Sequence, residues 1–276
     1  MDFHAITTIA RQELVINIRN KWIVTFAVAF ALLILAISYF GLVTAGTVGF
    51  QGFTRTSASL LSLVLYVVPL IALTMGTLSF TSERSVSELL FAQPVTRTEI
   101  LLGKLAGLFA SMVTATLIGF GAGGVVIAVR AGSEGAGRYP VFVALSLLLA
   151  LAFLSLAALV AFLFQRKARA FGVTLILWFF FVVFYDLLVI GGSLLLKERT
   201  ANAFIFASLF GNPVDMVRVA SLIVLDGKEI FGAAGGALVR FLGGERTSLV
   251  LLLGGLLLWI VIPFLASRHL LKRQDI

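Results

Sequence analysis

Cysteine is absent from this 276-residue chain, which excludes disulfides, thiolate metal sites and thiol nucleophiles. Charge is scarce: Asp, Glu, Lys and Arg together make up 12% of the residues, against about 25% in an ordinary soluble domain. Histidine occurs only as His4 and His269, near the two ends. Neither H-E-x-x-H nor G-x-S-x-G is present, so the zinc-peptidase and serine-hydrolase patterns are both missing. G-x-x-x-x-G-K-[ST] is missing too, so the chain has no phosphate-cradling P-loop of its own. What remains supplies no catalytic, cofactor-binding or metal-ligating set. Proline is limited to five residues, which leaves room for long unbroken helices.

What the chain has is apolar mass: 60% hydrophobic residues, 25 of them phenylalanine. A helix needs about 20 apolar residues to cross the hydrocarbon core. Six stretches meet that length: 22–43, 57–81, 105–129, 139–164, 170–196 and 248–267. The sequence therefore predicts an all-α integral membrane protein with six transmembrane helices. The formal net charge of +8 fits positive-inside loops and anionic lipid. The basic residues form no dense run of the kind that binds nucleic acid. The short segment QRKARA, Gln165 to Ala170, packs three bases into six residues and sets the orientation, since short loops dominate the rule. Both termini and the tail 268–276 are then expected in the cytoplasm, with 197–247 on the extracytosolic side. Residues 1–21 are expected to form an amphipathic helix on the cytoplasmic face, its apolar stripe running through Phe3, Ile6, Ala10, Leu14 and Ile18.

The cytoplasmic loop 82–99 is unusual in a chain so poor in charge. Ser85-Val-Ser-Glu88 and Thr96-Arg-Thr-Glu99 both fit the capping box, in which a hydroxyl and a carboxylate three residues apart satisfy each other's amides. Between them Leu89, Leu90 and Phe91 form a short apolar turn, which Pro94 stops. The loop thus reads as a short capped helix, a proline turn and a restarted helix. That is more than a connector needs, and it suits docking or a surface-lying segment.

SERSVSELLFAQPVTRTEILLGK, from Ser82 to Lys104, resembles the segment that follows the second span in ABC-2 type permeases of ABC transporters. Those read roughly acid–Arg, small residues, Glu-Leu-Leu, then Pro-Val-Ser/Thr-Arg, then Ile-Leu-Leu-Gly-Lys. Ser85 departs from the pattern, where glycine is common. The six-span plan, the amphipathic N-terminus and the terminal LLKRQDI are similar as well, so the resemblance covers the whole chain. It implies an ABC-2 (type V) architecture in a bacterial inner membrane, a second copy of the chain, and a separate cytoplasmic ATPase subunit that holds ATP and Mg. It also implies a coupling helix at Ser85–Gln93, with ATPase contacts from Glu83, Arg84, Ser85, Glu88, Leu89, Leu90, Phe91, Pro94 and Arg97. The long fifth-to-sixth connection, GNPVDMVRVASLIVLDGKEIF, most resembles that of the permeases serving nitrous oxide reductase maturation. That likeness implies an extracytosolic maturation partner and a role in copper-site assembly. Two alternatives stay open: an exporter of a drug, lipid or ion, and a non-transporting membrane scaffold.

Three further features stand out. Asp186 lies inside the fifth span, where a carboxylate is costly and is by default a functional candidate; the plainer reading is a hydrogen bond near the interface. Gly103/Gly107 and Gly119/Gly123 are small-xxx-small pairs that permit close helix packing, whether within the chain or at a dimer seam. In the connection, Asn212 and Pro213 read as N-cap and first residue of a helix with Asp215 in its first turn. Asp226-Gly227 ends that helix, and a second is expected over Glu229–Leu242. The connection reads either as a lid on the spans or as a platform for an extracytosolic partner, with Asn212, Pro213, Asp215, Arg218, Asp226 and Lys228 as its docking residues.

Overall fold

The computed structural model describes residues 2–19, 28, 30–36, 50–81, 95–131, 136–225, 239 and 241–273. These are helical apart from short turns, without a strand among them. Helix α1 (Phe3–Arg19) is short and amphipathic. Residues 30–36, from the first expected span, are helical and bury Phe30 and Ile34. Long apolar helices follow: α2 (Phe50–Thr81), α3 (Arg97–Ala131) and α4 (Tyr139–Phe164). The fifth span is one rod in three parts: α5 (Lys167–Phe179), a π-helical turn (Phe180–Phe184) and α6 (Tyr185–Leu194). Then come α7 (Glu198–Ser208), a 3-10 turn (Leu209–Gly211), α8 (Pro213–Val224) and the last long helix α9 (Glu245–Arg273). Five helices among the described residues are long and apolar enough to cross a membrane, and α7 with α8 forms a bent pair broken by 103°.

Helix α4 is the hub. It packs against α2, α3, α5, α8 and α9, and its buried side chains surround it on all faces, from Phe142 through Leu149 and Phe153 to Ala161. A helix apolar all round belongs in the interior. The fifth span and α9 keep most of their apolar side chains outward, as lipid-facing helices do. Polar side chains lock neighbours inside this oily core. Thr77 and Thr174 share a hydrogen bond of 2.8 Å between α2 and α5. The Trp178 indole donates to the Tyr66 carbonyl, and the Tyr139 hydroxyl to the Phe120 carbonyl. The turn from α4 to α5 is only Gln165 and Arg166, with Gln165 at a φ of 44°, so Lys167 and Arg169 of the basic cluster already belong to helix.

Two expectations change here. The packing face of α1 follows its apolar stripe only in part: Ile6 and Ala10 of the stripe face α3 with Ile9 and Glu13, Asn17 is buried beside them, and Phe3 and Ile18 of the stripe are exposed. Gly103, Gly107 and Gly119 of α3 pack against other helices of the same chain. A β-carbon at position 107 would lie 2.5 Å from the Ala10 carbonyl oxygen and 2.6 Å from the Glu13 β-carbon, and one at 103 would lie 2.7 Å from Ile9. Gly119 likewise faces Phe30 and Ile34. The missing side chains let the α1 backbone settle onto α3.

Candidate functional site

Two polar clusters stand out against the apolar core. The first ties α1, α2 and α3 together where loop 82–94 leaves and returns. Glu13 is buried. Its Oε1 accepts from the Ser79 hydroxyl at 2.7 Å and from Asn17 Nδ2 at 3.0 Å. Its Oε2 lies 3.9 Å from Lys104 Nζ. That ammonium donates to the Ser79 carbonyl at 3.1 Å and sits over the Phe80 ring. A buried acid and a buried base are stable only when paired and hydrogen-bonded, and this pair has both. Next to it the expected Thr96–Glu99 box is formed: the Thr96 amide donates to Glu99 Oε2 at 2.8 Å and the Glu99 amide to Thr96 Oγ1 at 3.4 Å. The other Glu99 oxygen accepts from the Asp2 amide at 2.7 Å, which anchors the start of α1. Arg97 donates to the Leu271 carbonyl at 2.8 Å, and Arg268 to the Thr98 hydroxyl, which adds the end of α9. Both stems of the loop are thus held by one polar clamp. Of the residues expected to touch an ATPase, Arg97 lies in this clamp; Glu83, Arg84, Ser85, Glu88, Leu89, Leu90, Phe91 and Pro94 lie outside the described residues.

The second cluster forms where α7 breaks into α8. Asn212 caps α8 as expected: its Oδ1 accepts from the Val214 amide at 3.0 Å. Its Nδ2 reaches back to the carbonyl of Phe181, in the π turn of the fifth span, at 2.9 Å, and also donates to Asp215 at 2.9 Å. Arg218 Nη1 donates to Asp215 Oδ1 at 2.6 Å and to Asp186 Oδ2 at 3.1 Å. Two side chains serve the carbonyls freed by the break: the Tyr185 hydroxyl donates to the Ser208 carbonyl at 2.6 Å, and the Trp259 indole to the Phe210 carbonyl at 3.1 Å. Glycines make the space. A β-carbon at Gly211 would fall on the Tyr185 hydroxyl, and one at Gly255 would meet the Met216 sulfur at 2.7 Å.

The depth of this break follows from its neighbours. Phe181 stands halfway along the 28-residue span Lys167–Leu194, and Trp259 halfway along the 29 residues of α9. Phe181 packs edge-on against Trp259 and against Phe153, which is near the middle of α4. Asn212 is therefore level with the midpoint of three crossing helices. Irregular backbone at such depth is tolerated only where protein or a water-lined cavity satisfies it, and the bonds above do so. Asp186, five residues from Phe181 towards the Leu194 end, lies roughly 7 Å from that midpoint at the helical rise. The hydrocarbon half-thickness is about 15 Å, so Asp186 lies well inside it. A lone carboxylate facing lipid there would cost about 2.5–3.5 kcal/mol on insertion scales, and Arg218 offsets part of that cost.

The structure brings Asp186, Asn212, Asp215 and Arg218 together, and it changes what three of the docking candidates can do. Asn212, Pro213 and Asp215 are buried, so they hold the interior rather than present a platform. Asn212 and Arg218 find partners some 30 residues upstream on the fifth span, at Phe181 and Asp186, which gives a segment that looks amphipathic a place inside. Arg218 is partly exposed. Asp226, Lys228 and most of the expected helix Glu229–Leu242 lie outside the described residues. Asp186 accepts its hydrogen bond from Arg218, deeper than the interface where the plainer reading placed it. Sequence reasoning missed Glu13, Asn17, Ser79, Tyr185 and Trp259. The available signal was that Glu13 and Asn17 continue the Ile6, Ile9, Ala10 register at helical spacing. Among the described residues no group of three His, Asp or Glu side chains could hold a metal.

The comparisons agree with this architecture. The profile described as ABC-2 family transporter protein matches residues 7–276. The chain is 34% identical over 275 residues to "Probable ABC transporter permease protein NosY" of Pseudomonas aeruginosa, covering 98% of each chain. It is 33% identical over 273 residues to the protein of the same name from Stutzerimonas stutzeri, covering 96% of this chain and 97% of that one. This multi-pass, all-helical chain therefore belongs to the ABC-2 family of transporter permeases.

Proposed function

We propose that the chain is the permease subunit of an ATP-driven assembly that serves copper-site formation in nitrous oxide reductase. A separate cytoplasmic ATPase subunit, holding ATP and Mg, docks on the coupling segment Ser85–Gln93. A second copy of the chain completes the permease in the bacterial inner membrane, with both termini in the cytoplasm. The motion of the ATPase reaches an extracytosolic maturation partner through the connection between the fifth span and α9. The observation that carries this reading is the near full-length likeness to two proteins named NosY. The clamp at the loop base supports it. Lys104, Ser79 and Glu13 pin both stems of loop 82–94 to α1, so a push on the loop moves α1, α2 and α3 as one body. Rigid-body displacement of packed helices is a common way for such pushes to travel. The copper belongs to the assembly's cargo, and the chain transmits force.

The test is Glu88→Lys. It reverses charge at the start of the expected coupling helix and removes the partner of the Ser85 cap, together about 1–2 kcal/mol of local helix stability. Permease abundance should stay near normal while ATPase recovered with the tagged permease falls. Undiminished co-purification of the ATPase would refute the docking assignment.

A further inference from the structure

The pair Asp186–Arg218 is deep, charged and only partly covered. The Asp186 side chain is 37% exposed and that of Arg218 30%, at a depth where the bilayer is hydrocarbon. Both carboxylates bond to the same guanidinium nitrogen, Nη1. A guanidinium carries five N–H donors, and among the described residues the hydrogen bonds of Arg218 to Asp186 and Asp215 both come from Nη1, which leaves Nε and Nη2 without a protein acceptor. Unused donors and acceptors of charged groups are stable at hydrocarbon depth only against water. Lipid tails cannot supply that. Asp186 is too short to reach the interface from there, and Arg218 is turned towards it. Everything on the other side of the cluster is sealed: Asn212 and Asp215 are buried, and Tyr185 is committed to the Ser208 carbonyl.

We propose that Asp186 and Arg218 line a water-filled vestibule that opens to the extracytosolic side and reaches down towards the break at Asn212. Its floor is the capped start of α8 and its wall is the fifth span beyond the π turn. Asp186 and Asp215 share one guanidinium, so with both carboxylates ionised the cluster carries one negative charge in excess. A charged recess with low-dielectric walls concentrates counter-ions, and this one admits small hydrated cations in preference to anions. The side on which the vestibule opens rests on the orientation proposed above; its wetness rests on depth, exposure and unfilled hydrogen bonds.

The absence of cysteine from the chain makes the test clean. Ile190 lies one turn beyond Asp186 and is exposed, so a thiol there sits on the same helix face. Ile190→Cys would be treated, in right-side-out membrane vesicles holding the permease with its ATPase, with membrane-impermeant methanethiosulfonates, one cationic and one anionic. Ile176→Cys, on the other half of the same span and also exposed, is the lipid-facing control. The position-190 thiol should react and the position-176 thiol should not. The cationic reagent should react about fivefold faster, from one excess charge roughly 8 Å away in water. Asp186→Asn should bring the two rates level relative to a free thiol. No reaction at position 190, or a rate ratio unmoved by Asp186→Asn, would overturn the proposal. Reaction confined to inside-out vesicles would overturn the orientation and the extracytosolic opening with it, while ATPase co-purification would still report separately on docking.

Discussion

Asn212 closes the break in the α7–α8 pair, and its replacement gives a measurable prediction. Asn212→Ala removes the cap on the Val214 amide and both donations from Nδ2. Loss of an N-cap costs about 1 kcal/mol. Leaving the buried Phe181 carbonyl short of its side-chain donor costs about 1–3 kcal/mol. The sum is about 2–4 kcal/mol. Asn212→Ser separates the two parts: a hydroxyl can still accept from the Val214 amide but is too short to reach Phe181. It should cost about 1–3 kcal/mol, with a gap of about 1 kcal/mol to the alanine variant. The measurement is reversible unfolding in mixed micelles, titrated with a denaturing detergent and followed by tryptophan fluorescence. Trp259 bonds to Phe210 two residues from the site and so reports on it. Equal costs for the two variants would refute the capping role. Costs within about 0.5 kcal/mol of the parent for both, the range of ordinary surface changes, would refute the buried network altogether.

Three further outcomes are expected. Gly107→Ala puts a methyl group 2.5 Å from the Ala10 carbonyl oxygen and should cost about 1–3 kcal/mol by overpacking, seen as faster proteolysis of residues 1–19 in membranes; unchanged proteolysis would mean that α1 does not sit on α3. Lys104→Met leaves the Glu13 carboxylate buried without its cation and should cost about 3–5 kcal/mol of unfolding free energy, of which Glu13→Gln in the same chain restores part; additive costs would show that the two do not form a pair. Finally, the purified permease without partners should retain no stoichiometric Cu(I) against a moderate-affinity chelator. Soft thiolate or thioether donors hold that ion, cysteine is absent, and Met112 and Met216 are buried on different helices. Retention lost on replacing Met112 together with Met75, which lies in α2, would refute the transmitter role.

Local signals in the sequence survived contact with the structure, and remote ones did not declare themselves. The Thr96–Glu99 box and the Asn212 cap are legible because their partners lie two or three residues away. The spans are legible because bilayer thickness imposes length and apolarity. The burial of α8 is not: PVDMVRVASLIV carries an acid and a base in an apolar helix, as a surface helix does, and only Asp186 and Phe181 on another span make it an interior one. The same holds for α1. Glu13 and Asn17 look like solvent-facing residues, and the Ser79 and Lys104 that bury them come from distant helices. The glycine spacing announced close packing but could not say against what; for Gly103 and Gly107 the partner is α1, and for Gly119 the first span.

The order in which the chain leaves the ribosome gives the break a consequence for biogenesis. The Phe210 carbonyl finds its donor in Trp259, 49 residues later, and Met216 lies over Gly255 on the same late helix. Before α9 has been synthesised, the segment Glu198–Val224 lacks its seat. Entering lipid alone would strand that carbonyl in hydrocarbon, where an unsatisfied polar group costs several kcal/mol. The segment must therefore wait in the insertion machinery, or at the membrane surface, until the final span arrives. Membrane integration of this chain is then not a strict procession from the first helix to the last. The deepest element of the connection is seated last, and a nascent chain arrested before Trp259 should still hold it outside the bilayer.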